Sequence, residues 1–385
     1  MGAPPFPFAR PSVTEPPVEY ARLRAQEPVS RVTTNSGEPA WLVTRYEDIR
    51  FVLSDLRFGV RAPGAAAATE DSLFQDPPGH TRLRRLVSKA FTVRGVEALR
   101  PKVQDLAKRL AGDLAAAGPP ADLVEIFAFP MSIGVITELL GVPVVDQADF
   151  RRWSEAILSL DAFSQEEVMA AGKSLDEYCA GLIADKQRNP GPDLLSDLIS
   201  VREEDNDRLN ERELLTMAES ILIAGYVTAG NTIGLGALTL LTHPQDYLDL
   251  VEDPSLVPGA IEEILRYASE IGGLVRIAQE DVRIGEVLIK AGDTVIAPPA
   301  CANRDEQRFP DSGRFDRTRP ANLHLAFGHG VHHCLGAAVG RLELQEAFTA
   351  LTQTFPTLRL AVPVAELPQR AGLLDQGPSA LPVAW

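Results

Sequence analysis

The chain has 385 residues, with 53 Asp and Glu against 37 Lys and Arg, a formal net charge of −16 at pH 7. Nucleic acid and anionic membranes repel such a surface and are not expected as main partners. Three scattered cysteines, Cys179, Cys301 and Cys334, do not build a disulfide framework and suit a reducing cytosol.

Met1 to Pro11 has neither the basic n-region nor the apolar h-region of a signal peptide, so a cytoplasmic protein is expected. Trp41 to Thr44 reads as a strand, followed by an amphipathic helix with Ile49, Val52 and Leu53 on one face. Residues 59–78, rich in Ala, Gly and Pro, form a long loop, and long loops in compact domains are often binding elements. A helix then starts at His80 after Pro77-Pro78. His80 and Arg84 are four apart, so they share a face and can hold one anionic group between them.

From Val96 to about Ile199, amphipathic helices alternate with breaks such as Gly118-Pro119-Pro120 and Asn189-Pro190-Gly191-Pro192. There is no internal repeat and no low-complexity linker, which predicts one compact, mostly helical domain over residues 1–385.

Ser220 to Thr242 has no charged residue and is long enough to span a bilayer. Its threonines, Asn231 and four glycines favour a buried central helix instead. Ala224 and Gly225 leave a notch in that helix beside the Thr228 hydroxyl. Further on, Glu263 and Arg266 stand at i, i+3 of a helix. A small β-rich part follows, with strands at Leu274 to Ala278, Val282 to Ile289 and Val295 to Ala297 joined by Gly285-Glu286 and Ala291-Gly292-Asp293 turns.

The most informative stretch is Phe327-Gly328-His329-Gly330-Val331-His332-His333-Cys334-Leu335-Gly336, which leads into a helical pattern from Ala337. A thiol at or near a helix N-terminus is favoured as thiolate by the unpaired N–H groups and the helix dipole. Gly330 and Gly336 permit tight turns and close approach of a flat ligand, and Phe327 can shield the sulfur. These are the requirements of a thiolate that ligates haem iron. Two plainer readings compete: a small buried hydrophobe, or a zinc site drawn from His329, His332, His333 and Cys334. Adjacent His332 and His333 point apart and no Cys-x-x-Cys partner exists, which disfavours zinc.

The spacing Phe-x-x-Gly-x-x-x-Cys-x-Gly resembles the haem-binding signature of the cytochrome P450 family, and the resemblance runs in order from about Trp41 to the C-terminus. It implies a mainly α fold with a smaller β-rich region (α+β), haem b lying between a long central helix and the cysteine loop, and Cys334 as the metal ligand. Phe327, Gly328 and Gly336 would complete the loop around the cofactor. It further implies that His80, Arg84, Arg276 and His332 bind the propionates, and that Glu263, Arg266 and Arg319 form a bracing ion-pair network. Ala224, Gly225 and Thr228 would lie over the distal face, while Leu222, Ile223, Tyr226, Val227, Leu274, Val275 and Leu373 would line a substrate pocket with part of the 59–78 loop. In one place the sequence departs from the family: Val227 stands where an acid relays protons, and valine can neither carry nor donate one.

The implied function is a monooxygenase that hydroxylates or epoxidises a hydrophobic small molecule of bacterial secondary metabolism, free or carrier-bound, as a monomer. Electrons would come from ferredoxin and ferredoxin reductase, because no flavin or iron–sulfur module is visible; Arg82, Arg85 and Lys89 could dock an acidic ferredoxin. The alternatives are a non-oxygenating haem-thiolate sensor, or peroxide-driven chemistry such as oxidative coupling.

Overall fold

The computed structural model describes residues 3–62, 72–89, 91–143, 147–158, 163–204, 209–268, 273–320, 322–368 and 377–385. Residues 63–71 of the expected loop, and Leu373 with its neighbours in the C-terminal turn, lie outside them. The chain forms two compact units, one of residues 1–70, 74–79 and 262–334, the other of residues 71–73, 80–261 and 335–385.

The first unit is built on a five-stranded sheet in the order Val29–Thr33, Pro39–Val43, Thr294–Ala297, Leu274–Ala278, Phe58–Gly59. Pro39–Val43 and Thr294–Ala297 run parallel, and the other neighbours are antiparallel. Alternation along Leu274–Ala278 turns Arg276 inward and Val275 outward, because successive side chains of a strand leave opposite faces. The apolar stripe read from the sequence, Ile49, Val52 and Leu53, packs into a core with Leu42, Val295 and Phe309. Gly285, at φ +57°, turns the separate hairpin of Val282–Ile284 and Val287–Ile289.

Helices dominate the second unit. Its longest, Glu211–Thr242, has 32 residues and starts with a capping box in which Asn210 and Glu213 satisfy each other's backbone N–H groups. It is the one helix among the described residues long and apolar enough to cross a membrane, and 67% of its apolar window is buried inside the protein. Its glycines explain much of that burial: a Cβ on Gly225 would come within 2.6 Å of Ile136, and one on Gly230 within 2.8 Å of Phe129. The helix Phe129–Leu140 can therefore approach closely. Ser132 donates its hydroxyl to the Tyr226 carbonyl at 2.6 Å, and the Phe129 and Tyr226 rings meet edge-on at 5.3 Å.

Two further helices matter for the site. Gly79–Ser88 buries His80, Leu83, Leu86 and Val87. Its Arg82 pairs with Glu213, the capping residue of the long helix. Ala337–Thr354 packs along Val93–Ala117, where Arg100 joins Glu97 to Glu346. The whole is mostly helical with a smaller sheet region, as the sequence predicts.

Candidate functional site

In the first unit, the cysteine loop is held by its own backbone. Cys334 N–H donates to the Phe327 carbonyl at 2.8 Å, Gly328 N–H to Leu325 at 2.8 Å and His333 N–H to Gly330 at 3.1 Å. Cys334 is exposed and not disulfide-bonded. Gly328 and Gly330 have φ of +69° and +72°, a region that disfavours any residue with a Cβ. A Cβ on Gly330 would also press on the Leu53 carbonyl and lie 2.7 Å from Ser54 Cα. Gly336 has φ −83°, so its backbone does not need the left-handed region that Gly328 and Gly330 occupy. Gly336 is the N-cap of Ala337–Thr354, so Cys334 lies just before the helix and not in its first turn.

Behind the loop stands a buried ion-pair network. Arg266 and Glu263 are both fully buried and joined by two bonds, Nη2 to Oε1 at 2.7 Å and Nε to Oε2 at 2.8 Å. Arg319 Nε reaches Glu263 Oε1 at 3.4 Å, and the same carboxylate takes the Asp316 N–H and the Asn322 amide. The remaining Arg266 donors go to the carbonyls of Asn303, Ser312 and Arg314. Asn303 in turn accepts the Leu325 N–H at 2.7 Å. Sequence reasoning found the three charged members and missed Asn303, Asn322 and His324, which reach Leu325, Glu263 and Glu262 across 22, 59 and 62 residues of chain.

Arg276 is 5% exposed, and among the described residues its guanidinium makes one hydrogen bond, to the Val275 carbonyl at 2.9 Å. Burial pushes its pKa down, partly offset by the nearby Asp76 carboxylate. Asp76 itself accepts the Val60 and Arg61 N–H groups at 2.8 and 3.3 Å. A buried cation with N–H donors to spare is suited to an incoming carboxylate. His332 is half-buried at the end of the short turn Gly330–His332. Leu274 packs against Gly328, while Val275 is 51% exposed.

In the second unit, His80 is buried and Arg84 half-buried, four residues apart on Gly79–Ser88. On the long helix, Ala224 and Thr228 are exposed and Ile223 half-buried, whereas Tyr226 and Val227 are buried. The Thr228 hydroxyl donates to the Ala224 carbonyl at 2.6 Å, and Thr232 donates to Thr228 at 2.7 Å. One expectation changes here: Gly225 offers no notch, because Ile136 fills it, while Leu222 and Tyr226 are buried, Tyr226 with its ring against Phe129. Helical periodicity groups residues into faces without saying which neighbour each face meets.

A thiol on a glycine-turned loop, a braced approach to it, and a buried arginine with donors in reserve fit a haem held by thiolate and carboxylate contacts. The model of the family described as Cytochrome P450 matches residues 133–360. Over 392 residues the chain is 43% identical to nocardicin C N-oxygenase of Nocardia uniformis subsp. tsuyamanensis, covering 99% of this chain and 98% of that one. It is 44% identical over 380 residues to the mycinamicin IV hydroxylase/epoxidase of Micromonospora griseorubida, covering 95% and 94%. The solved structure of LnmA, the cytochrome P450 hydroxylase of the leinamycin biosynthetic pathway of Streptomyces atroolivaceus, superposes with a TM-score of 0.93 at 42% identity over the whole of both chains.

The chain belongs to the cytochrome P450 family and is a bacterial-type monooxygenase, an oxidoreductase. Membership implies a haem-thiolate cofactor.

Proposed function

We propose that this P450 hydroxylates or epoxidises a hydrophobic small molecule of bacterial secondary metabolism, with Cys334 as the haem ligand. The observation that carries the ligand assignment is the loop itself: two glycines in a left-handed conformation present an exposed thiol from a braced backbone. Supporting the substrate class are relatives that act on mycinamicin IV and nocardicin C.

By the family resemblance, Arg276, His332, His80 and Arg84 would hold the propionates. When bound, thiolate-ligated haem supplies oxygen activation. Thr228 has a defined part: its proton is given to the Ala224 carbonyl, so Oγ1 offers lone pairs and accepts a hydrogen bond from water. Val227 cannot hand on a proton, so relay runs through water ordered at Thr228 and through polar groups of the substrate. Ferredoxin and its reductase supply the electrons, the protein acting in the cytoplasm. Arg85 and Lys89 are exposed on the helix that would face the ferredoxin, and Arg82 pairs with Glu213.

The missing acid at Val227 also favours a second reading, an oxidative coupling or peroxide-driven reaction that relies less on proton delivery. Candidate substrates, free and carrier-bound, are screened for a change in the haem absorption spectrum, and hits are then tested for product with ferredoxin or with peroxide. Oxygenated product with ferredoxin supports the first reading; coupled product, or turnover with peroxide alone, supports the second. A protein that binds ligands yet consumes no reductant contradicts both.

A further inference from the structure

We infer that Asp76 is the resident counter-charge of Arg276, a positioning residue that steadies the buried guanidinium and leaves its donors open for a haem carboxylate. This rests on Arg276 meeting that carboxylate. The placement begins where the sheet ends. Phe58 pairs with Ala278 and Gly59 with Ile277, and there the ladder stops. One step further in the same register, Val60 would face Arg276. Its N–H goes instead to Asp76 Oδ1 at 2.8 Å, and the Arg61 N–H goes to Oδ2 at 3.3 Å. On the other strand, the Val275 carbonyl takes Arg276 Nη1 at 2.9 Å. Two side chains of opposite charge therefore finish the two strands at the same step.

Gln279 locks the arrangement, donating Nε2 to the Arg61 and Ile277 carbonyls at 2.6 and 3.0 Å. Gly59 makes room for it: a Cβ there would lie 2.6 Å from both Asp76 Oδ2 and Gln279 Nε2. A buried cation left alone is costly, and the Asp76 carboxylate offsets part of that cost at Arg276. Yet no ion pair joins the two among the described residues, because backbone N–H groups hold the carboxylate. Free to swing, it would close on the guanidinium and occupy the donors that an incoming anion needs. Held back, it supplies its field and keeps its oxygens away. With haem bound, Arg276 has a second anion beside it, and Asp76 becomes redundant as a counter-charge. Whatever stability Asp76 adds to the haem-free protein alone is, by linkage, subtracted from haem affinity.

The test reads stability and haem transfer, not turnover. Asp76→Asn keeps an acceptor oxygen for the Val60 N–H and removes the charge. In the haem-free protein it is expected to raise the unfolding equilibrium constant about tenfold, the factor equivalent to ~1.4 kcal/mol. Added to Arg276→Met, it should change that constant less than about twofold, because no cation is left to balance. From the loaded protein, haem transfer to a competing apoprotein should slow about tenfold in Asp76→Asn. That is opposite in sign to the acceleration expected for Arg276→Met.

A carboxylate that only fastens the backbone would give the same loss with or without Arg276 and would not slow haem transfer, and that result overturns the inference. Should Asp76→Asn alone not fold, the double variant decides: folding restored by Arg276→Met supports the counter-charge, and failure of both overturns it. Unchanged haem transfer in Arg276→Met would instead refute Arg276 as a cofactor residue, whatever the haem-free comparison gives.

Discussion

Gly330 and Leu53 are packed so that the glycine has no space for a side chain: an added Cβ would press on the Leu53 carbonyl and lie 2.7 Å from Ser54 Cα. The helix Tyr46–Ser54 thus serves as the floor of the cysteine loop. Gly330→Ala should displace the loop, costing more than about 1 kcal/mol from the left-handed backbone alone, and should strongly reduce haem occupancy measured by the ratio of haem to protein absorbance. Gly112→Ala, on the exposed face of Val93–Ala117 with nothing within 4 Å of an added Cβ, is the control and should load haem like the parent.

Glu263→Ala would leave the fully buried Arg266 without its carboxylate. Removing one partner of a buried pair costs about 3–5 kcal/mol. Denaturant unfolding should show a loss of that order, accompanied by poor haem incorporation. A folded variant with full haem occupancy would mean that the network does not brace the loop.

Arg276 calls for a different outcome. Its charge is buried with one hydrogen bond, and the carboxylate that partly compensates it, Asp76, is shared with two backbone N–H groups. Arg276→Met should therefore leave the haem-free protein as stable as the parent, or more so, because it removes a desolvated cation. Haem transfer to a competing apoprotein should nevertheless speed up at least about tenfold, the loss of one charge-assisted contact. Unchanged haem transfer would remove Arg276 from the cofactor site.

Glu343 gives a pH signature. It is buried on Ala337–Thr354, its Oε1 has no hydrogen-bond partner among the described residues, and burial pushes its pKa up from 4.5 to about 8. Below the lower value, folded and unfolded chains both hold the proton. Between the two, the unfolded chain releases it and the folded chain does not, so stability falls as pH rises through this window. Glu219, also raised to about 8 by burial and by its hydrogen bond with Asp176, acts in the same direction. Glu343→Gln should flatten the parent's profile between about pH 4.5 and 8, by a few kcal/mol at the upper end. Parallel profiles would show that Glu343 ionises normally in the folded protein.

The parts of the site legible in the sequence are those whose chemistry is local. The glycines at 328 and 330 lie within a few residues of Cys334, and the i, i+3 spacing of Glu263 and Arg266 is itself a helical contact. What escaped depends on tertiary neighbours. Nothing near Gly225 in sequence announces Ile136, and nothing beside Glu262 announces His324, 62 residues away. Arg82 was read as part of a free basic run because its partner, Glu213, is 131 residues distant.

The Arg82 and Glu213 pair has a practical consequence for anyone exchanging parts between relatives. Glu213 closes the first turn of the long helix through the Asn210 N–H with one oxygen and receives Arg82 with the other. The segment that carries His80 and Arg84 is therefore keyed to a residue encoded far downstream. A chimera that imports this segment from another enzyme to change its choice of reductase inherits a lock without its key, unless position 213 is exchanged with it.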